Sequence, residues 1–199
     1  MAKVTDPEAV RARLVEAAWR VIATEGIEAA TLRRVAIEAD CTTGLITHYF
    51  ADKAELVTVA YRRVLDSMLA DAERAILRTS GIVEKLVAAV EAVEPVRASA
   101  RHFTVVLINF WAAAAVDPTF AAHCRNDYAR WRDMIRRVAA EGVASGELRP
   151  DTDLRVLVDT LTLVSDGLSV GLTLTPATYR RSHRQAIIRH LLQPFLPAG

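Results

Sequence analysis

Between residues 42 and 49 the chain places Thr42, Thr43, Thr47, His48 and Tyr49 around a bare Gly44 and an apolar Leu45. Hydroxyls, an imidazole and a phenol donate and accept hydrogen bonds without a fixed charge. Wound into a helix, the stretch brings Thr43, Gly44, Thr47 and His48 to one side and turns Ile46 and Phe50 away from them. A helix with a short polar face and an apolar back can lie in a DNA major groove, reading base edges on one side and docking on its own domain on the other. Leu45 sits at the edge of the outward face, where it can touch a thymine methyl. Gly44 removes a side chain where backbone would approach DNA, and costs about 1 kcal/mol of helix propensity relative to Ala.

The flanking residues supply what must hold that helix. Val10, Leu14, Ala17, Ala18, Val21 and Ile22 recur at helical spacing, and Gly26 then offers a left-handed stop. A second helix begins after Thr31 as N-cap, with Leu32, Val35, Ala36 and Ala39 as its buried stripe. Arg34 stands where a capping box would have Glu. The turn falls at Asp40-Cys41, and Asp tolerates the positive φ such a turn needs better than most residues. Thr42 caps the third helix, and Asp52 with Glu55 opens the fourth in capping-box spacing. Lys53 lies in that fourth helix's first turn, against the helix dipole. A DNA phosphate at the same end removes the conflict, so Lys53 is expected to contact phosphate, with Arg33 and Arg34 flanking the reading helix.

The motifs Thr31-Leu-Arg-Arg-Val-Ala, Thr42-Thr-Gly, His48-Tyr-Phe and Lys53-Ala-Glu-Leu resemble the N-terminal domain of TetR-family transcriptional regulators. The resemblance covers about a quarter of the chain. It implies an all-α homodimer whose third helix reads a palindromic operator in double-stranded DNA and whose C-terminal domain senses a small molecule. It assigns Thr42, Thr43, Gly44, Thr47, His48 and Tyr49 to the recognition helix and Lys53 to a phosphate. Asp40-Cys41 replaces the family's usual Gly-Val, and Thr47 stands where many members carry Tyr, so the operator cannot be copied from a relative.

Composition limits the other readings. Apolar content is 52% and mean hydropathy +0.18, which a buried dimer interface or an internal apolar pocket would explain. The apolar run 103–116 is too short to span a bilayer, and no membrane partner is expected. No basic start precedes an apolar core near the N-terminus, so a cytoplasmic protein is expected. Cys41 and Cys124 lack metal spacing, as do the five histidines, and no phosphate loop or nucleophile elbow appears. No enzyme and no cofactor are expected. Residues 1–50 hold six basic and seven acidic side chains, a net charge of −1. The DNA reading therefore rests on where Arg33, Arg34 and Lys53 lie, and implies few phosphate contacts and a modest salt dependence.

Helical periodicity continues to the end, giving about nine helices. The expected division is a helix-turn-helix domain at 1–52 and a ligand-binding and dimerisation domain at 53–199. The helix around Leu107-Ile-Asn-Phe-Trp111 is the pocket candidate: Phe103, Leu107 and Phe110 share one side, and Asn109 and Trp111 add polar atoms. Tyr128 and Trp131 lie on the next helix, and His102 and Asp166 are further polar candidates. The C-terminal part is similar to the choline-responsive (BetI-like) subgroup, whose matching helix reads Trp-Leu-x-Phe-Trp; the first Trp is Leu107 here. That similarity implies a quaternary ammonium or aliphatic amine as effector.

In the family the last two helices form the dimer interface, which assigns Leu157, Leu161, Val164, Leu168, Ile187, Ile188 and Leu191 to it. The final helix also carries Arg180, Arg181, Arg184, Arg189, His183 and His190 without acids, expected as a rim pairing with acids of the partner subunit; a second nucleic-acid surface is the other reading. The competing function is a small-molecule binding protein whose helix-turn-helix no longer reads DNA.

Overall fold

The computed structural model describes residues 6–94 and 98–198, with side chains except at 98–103. Among these residues there are nine α-helices and no strand. They are α1 (Pro7–Glu25), α2 (Leu32–Glu38), α3 (Thr43–Tyr49), α4 (Lys53–Leu77), α5 (Ile82–Ala92), α6 (Ala98–Ala114), α7 (Pro118–Ser145), α8 (Leu154–Leu174) and α9 (Arg181–Leu192). A 3₁₀ turn at Gln193–Phe195 follows. The chain forms two compact units, Met1–Leu65 with Val105–Cys124, and Asp66–Thr104 with Arg125–Gly199. These differ from a division at 52/53, because the first turns of α4 and a returning segment of α6 and α7 complete the first unit.

Local chemistry sets the ends of the first helices. Asp6 accepts from the Glu8 N–H at 3.0 Å, and Pro7 occupies the first helical position, where its missing N–H costs nothing. Gly26 ends α1 at φ +89°, its N–H donating to the Ile22 carbonyl at 3.0 Å. Leu14, Val21, Val35, Ile46 and Leu56 are fully buried and form the core of this unit with Phe50 and Tyr61. Phe110 stacks on Tyr61 with ring centroids 3.7 Å apart and meets Phe120 edge-on at 4.8 Å.

In the second unit α5 and α9 are joined by charge. Arg189 pairs with Glu84 (Nη2 to Oε2 2.6 Å), and Arg181 pairs with Glu91 (Nε to Oε1 3.0 Å). Gln185 also donates to Glu91, at 2.9 Å. Arg184 pairs with Glu94 at 2.7 Å, both side chains buried. Three arginines of the basic helix thus find acids on their own chain, Glu84 and Glu91 one above the other on α5 and Glu94 just beyond its end, where a rim pairing with a partner subunit was expected. Burial pushes Glu94 above the usual carboxylate range despite its arginine. Glu91 is also pushed up by burial, but hydrogen bonds from Arg181 and Gln185 outweigh this and leave it lowered. Gly142 lets α7 approach closely: a Cβ there would lie 2.6 Å from Ile82 Cγ2 and 2.8 Å from Leu148 Cγ.

Most of the α8 residues expected at a dimer interface are buried within their own unit. Leu157, Leu161 and Leu168, with Ile188 of α9, are at most 4% exposed and belong to the core of their own unit. Val164, Ile187 and Leu191 are half-buried. The exposed apolar stripe is instead Val156, Leu163, Val170 and Leu174, with Leu163 71% and Leu174 73% exposed. Both faces of α8 are apolar, so periodicity alone does not tell inner from outer. α8 is also long and apolar enough to cross a bilayer, but its buried leucines pack inside the protein as in a core helix.

Candidate nucleic-acid interface

The turn between α2 and α3 is built as its residue types demand. Asp40 takes φ +50°, and the Cys41 N–H donates to the Ala36 carbonyl at 2.9 Å. Thr42 caps α3 through its side-chain oxygen, which accepts from the Leu45 N–H at 3.3 Å. Ile46 and the following Phe50 are buried, which fixes the roll of α3. Thr42, Thr43, Gly44, Thr47 and His48 are left exposed, with Leu45 and Tyr49 half-exposed at the edges. Thr47 donates to the Gly44 carbonyl at 3.1 Å, and its hydroxyl oxygen retains the capacity to accept. His48 meets Tyr49 edge-on, with ring centroids 5.1 Å apart. A Cβ on Gly44 would come no nearer than 3.8 Å to Thr42 Oγ1, so nothing inside the protein requires glycine there.

The basic side chains divide into free and engaged. Arg33 is exposed and makes no ion pair among the described residues. Arg34 is gripped from both sides, by Glu25 at 2.6 Å and Glu38 at 3.1 Å. Glu38 also takes Arg20 at 3.0 Å, and Glu16 links Arg20 to Arg63, so the pairs run from α2 across α1 to α4. Hydrogen bonds from Arg20 and then Arg34 hold Glu38 below the usual carboxylate range. Arg34 is therefore a brace in this state rather than a free phosphate contact; Glu25 and Glu38 are the acids that sequence reasoning did not connect to it. Lys53 donates to the Glu28 carbonyl at 3.1 Å and reaches its carboxylate at 3.4 Å, and stays partly exposed. The capping box of α4 forms in shifted register: Asp52 accepts from Glu55 at 2.8 Å, while Glu55 reaches the N–H of Ala51 at 2.7 Å. Arg11 lies over the Phe50 ring, 5.1 Å from its centroid.

The expected ligand residues fall in both units. His102 and Phe103 lie on α6, and their side chains are outside those described. In the first unit Leu107 and Phe110 are core, and Trp111 is half-buried. Asn109 is engaged by backbone at both ends: it accepts from the Ile27 N–H at 3.3 Å and donates to the Val105 carbonyl at 2.9 Å. With Phe110 directed into the aromatic core, Asn109, about 100° round the helix, meets the turn after α1. It thus fastens α6 to that turn. In the second unit Tyr128 donates to Asp166 at 2.7 Å, and Trp131 is 9% exposed. Burial pushes Asp166 above the usual carboxylate range, against the lowering effect of the Tyr128 hydrogen bond. Asp127, beside Tyr128, is a buried acid that the sequence did not single out, with Arg130 3.8 Å away.

A helix-turn-helix carried by an all-helical chain defines the class of transcriptional regulators to which known proteins also point. Residues 14–60 match the family described as bacterial regulatory proteins, tetR family, and residues 83–197 match the BetI-type transcriptional repressor C-terminal domain. The chain belongs to the TetR family, with a BetI-type C-terminal domain; it is a transcriptional regulator and not an enzyme. The transcriptional repressor KstR2 of Mycolicibacterium smegmatis is 30% identical over 75% of this chain and 73% of its own length. The transcriptional regulator BetI of Agrobacterium fabrum is 28% identical over 89% of this chain and 84% of its own. Among solved structures, a transcriptional regulator from Saccharomonospora viridis in complex with choline superposes with a TM-score of 0.85 at 22% identity, covering 96% of this chain and all of that one.

Proposed function

We propose that the chain is a homodimeric, ligand-responsive repressor that acts on DNA in the cytoplasm and leaves a palindromic operator when a small cation binds. The observation that carries this reading is the bare polar face of α3, exposed while the back of the same helix is sealed by Ile46 and Phe50. Thr43, Thr47 and His48 read base edges, Leu45 and Tyr49 border them, Thr42 and Lys53 bind phosphate at helix N-termini, and Arg33 adds a free cation. Gly44 supports the reading because the protein itself has room for a Cβ there.

A second copy pairs along the stripe Val156, Leu163, Val170 and Leu174, the described apolar face that the chain leaves uncovered on α8. Pairing sets two copies of α3 in successive major grooves, hence a palindrome. The effector is an amine or quaternary ammonium. Asp166 supports it: a half-buried carboxylate beside Tyr128, held above the usual carboxylate range by desolvation, is costly to ionise alone, and a cation relieves that cost. Ligand shifts the population toward a conformer with the wrong spacing of the reading helices.

Incubating the purified protein with sheared genomic DNA of its source and sequencing the bound fragments tests the proposal. One imperfect palindrome should be enriched, and choline or a related amine should release it. Asp166→Asn should abolish the release while raising the melting temperature, because the amide removes a half-desolvated charge. Enrichment of no site by the folded dimer would contradict the operator reading.

A further inference from the structure

The first unit holds a cleft that the operator reading leaves unused. Its volume is about 320 Å³, and it is lined by Ile27, Val57, Ala113 and Phe120 as an apolar floor, with Glu28, Asp52 and Lys53 at the rim. Its walls are fixed by their neighbours within the unit. Asn109 holds the Ile27 backbone at 3.3 Å, Phe120 is pinned edge-on against Phe110, and Val57 is 1% exposed. A preformed cleft of this size is in the range of small-ligand sites.

The rim decides what fits. Lys53 gives one N–H to the Glu28 carbonyl and reaches a carboxylate oxygen of the 96% exposed Glu28 side chain only at 3.4 Å, which leaves a third donor uncommitted. Asp52 uses Oδ1 to cap Glu55, and Oδ2 makes no hydrogen bond among the described residues. A simple anion meets Lys53 but is repelled by Glu28 and Asp52. A simple cation has the reverse fate. A molecule carrying both charges beside one apolar group satisfies all three.

We infer that this cleft binds an apolar α-amino acid as its zwitterion, the carboxylate on Lys53, the ammonium between Glu28 and Asp52, and the side chain on Ile27, Val57, Ala113 and Phe120. An occupant there withdraws Lys53 from DNA phosphate; this consequence, unlike the binding itself, rests on the operator reading.

Calorimetric titration of the full chain, without DNA, tests the binding. L-Phenylalanine is the probe, and 3-phenylpropionate and 2-phenylethylamine are analogues that each lack one charge. L-Phenylalanine should bind once per chain, and each analogue at least about tenfold more weakly, which corresponds to about 1.4 kcal/mol. Ala113→Phe, at a half-buried surface position, should fill the cleft and remove the heat. Lys53→Met, which leaves the floor intact, should bring L-phenylalanine down to the level of 2-phenylethylamine and decides the case even if Ala113→Phe loses its fold. The inference is overturned by the absence of L-phenylalanine binding at millimolar concentration, by analogues that bind as well, or by binding that survives Lys53→Met unchanged. Because no DNA is present, none of these results bears on the operator.

Discussion

Helices α3 and α8 are built by the same rule and left open to opposite partners. Each buries one face in its own unit and leaves the other bare. The bare face of α3 is Thr42, Thr43, Gly44, Thr47 and His48; that of α8 is Val156, Leu163, Val170 and Leu174. A short polar face is no use to a hydrophobic partner, and a leucine stripe is no use to a phosphate backbone. The composition of the uncovered face therefore separates a surface suited to DNA from one suited to a second protein chain.

The largest expected effect comes from breaking the α8 side. Leu163→Asp puts a charge on a 71% exposed position, so the chain should fold normally. Without pairing, the two reading helices no longer share an effective concentration, and operator affinity measured by fluorescence anisotropy should fall about 100-fold or more. On the α3 side, Thr43→Ala and His48→Ala should each cost about 1–3 kcal/mol of preference for the operator over random DNA in competition binding, with non-specific binding unchanged. Gly44→Ala should separate fold from function. The helix gains up to about 1 kcal/mol in chemical denaturation, while operator affinity drops because the added methyl faces the groove.

The smallest effect distinguishes the two adjacent arginines. Arg33→Ala should reduce the salt slope of DNA binding by about one per subunit, whereas Arg34→Ala should leave the slope unchanged and lower stability instead. The sign with pH follows from Glu38. Its pKa is lowered in the fold by Arg20 and Arg34, so the stabilisation is present above the usual carboxylate range and is lost as pH falls through the lowered value. The stability gap between Arg34→Ala and wild type in thermal melts should therefore close on acidification.

The contrast between the helices also explains what was legible in the residues. The ends and roll of α3 are local matters: Thr31 and Thr42 cap, Asp40 takes positive φ, and Ile46 and Phe50 are buried, all as their types and spacing require. The exposed stripe of α8 was not legible, because Leu157 and Leu161 are as apolar as Val156 and Leu163, and only packing against the rest of the unit decides which pair is covered. The partners of Asn109 and Arg34 were out of reach for a related reason. Asn109 holds the turn at Ile27, 82 residues away in the chain, and Arg34 is held by Glu25 across helices, neither of which periodicity can register. The acids that meet the basic α9 lie about 90 to 105 residues earlier and were equally out of reach of local pattern.

Sedimentation velocity of wild type and Leu163→Asp, alone and with the selected operator fragment, tests this partition most directly. The account predicts that wild type sediments as a dimer that places two chains on one palindrome, and that Leu163→Asp sediments as a helical monomer with weakened operator binding. A Leu163→Asp protein that remains dimeric and binds the palindrome as wild type does would contradict it.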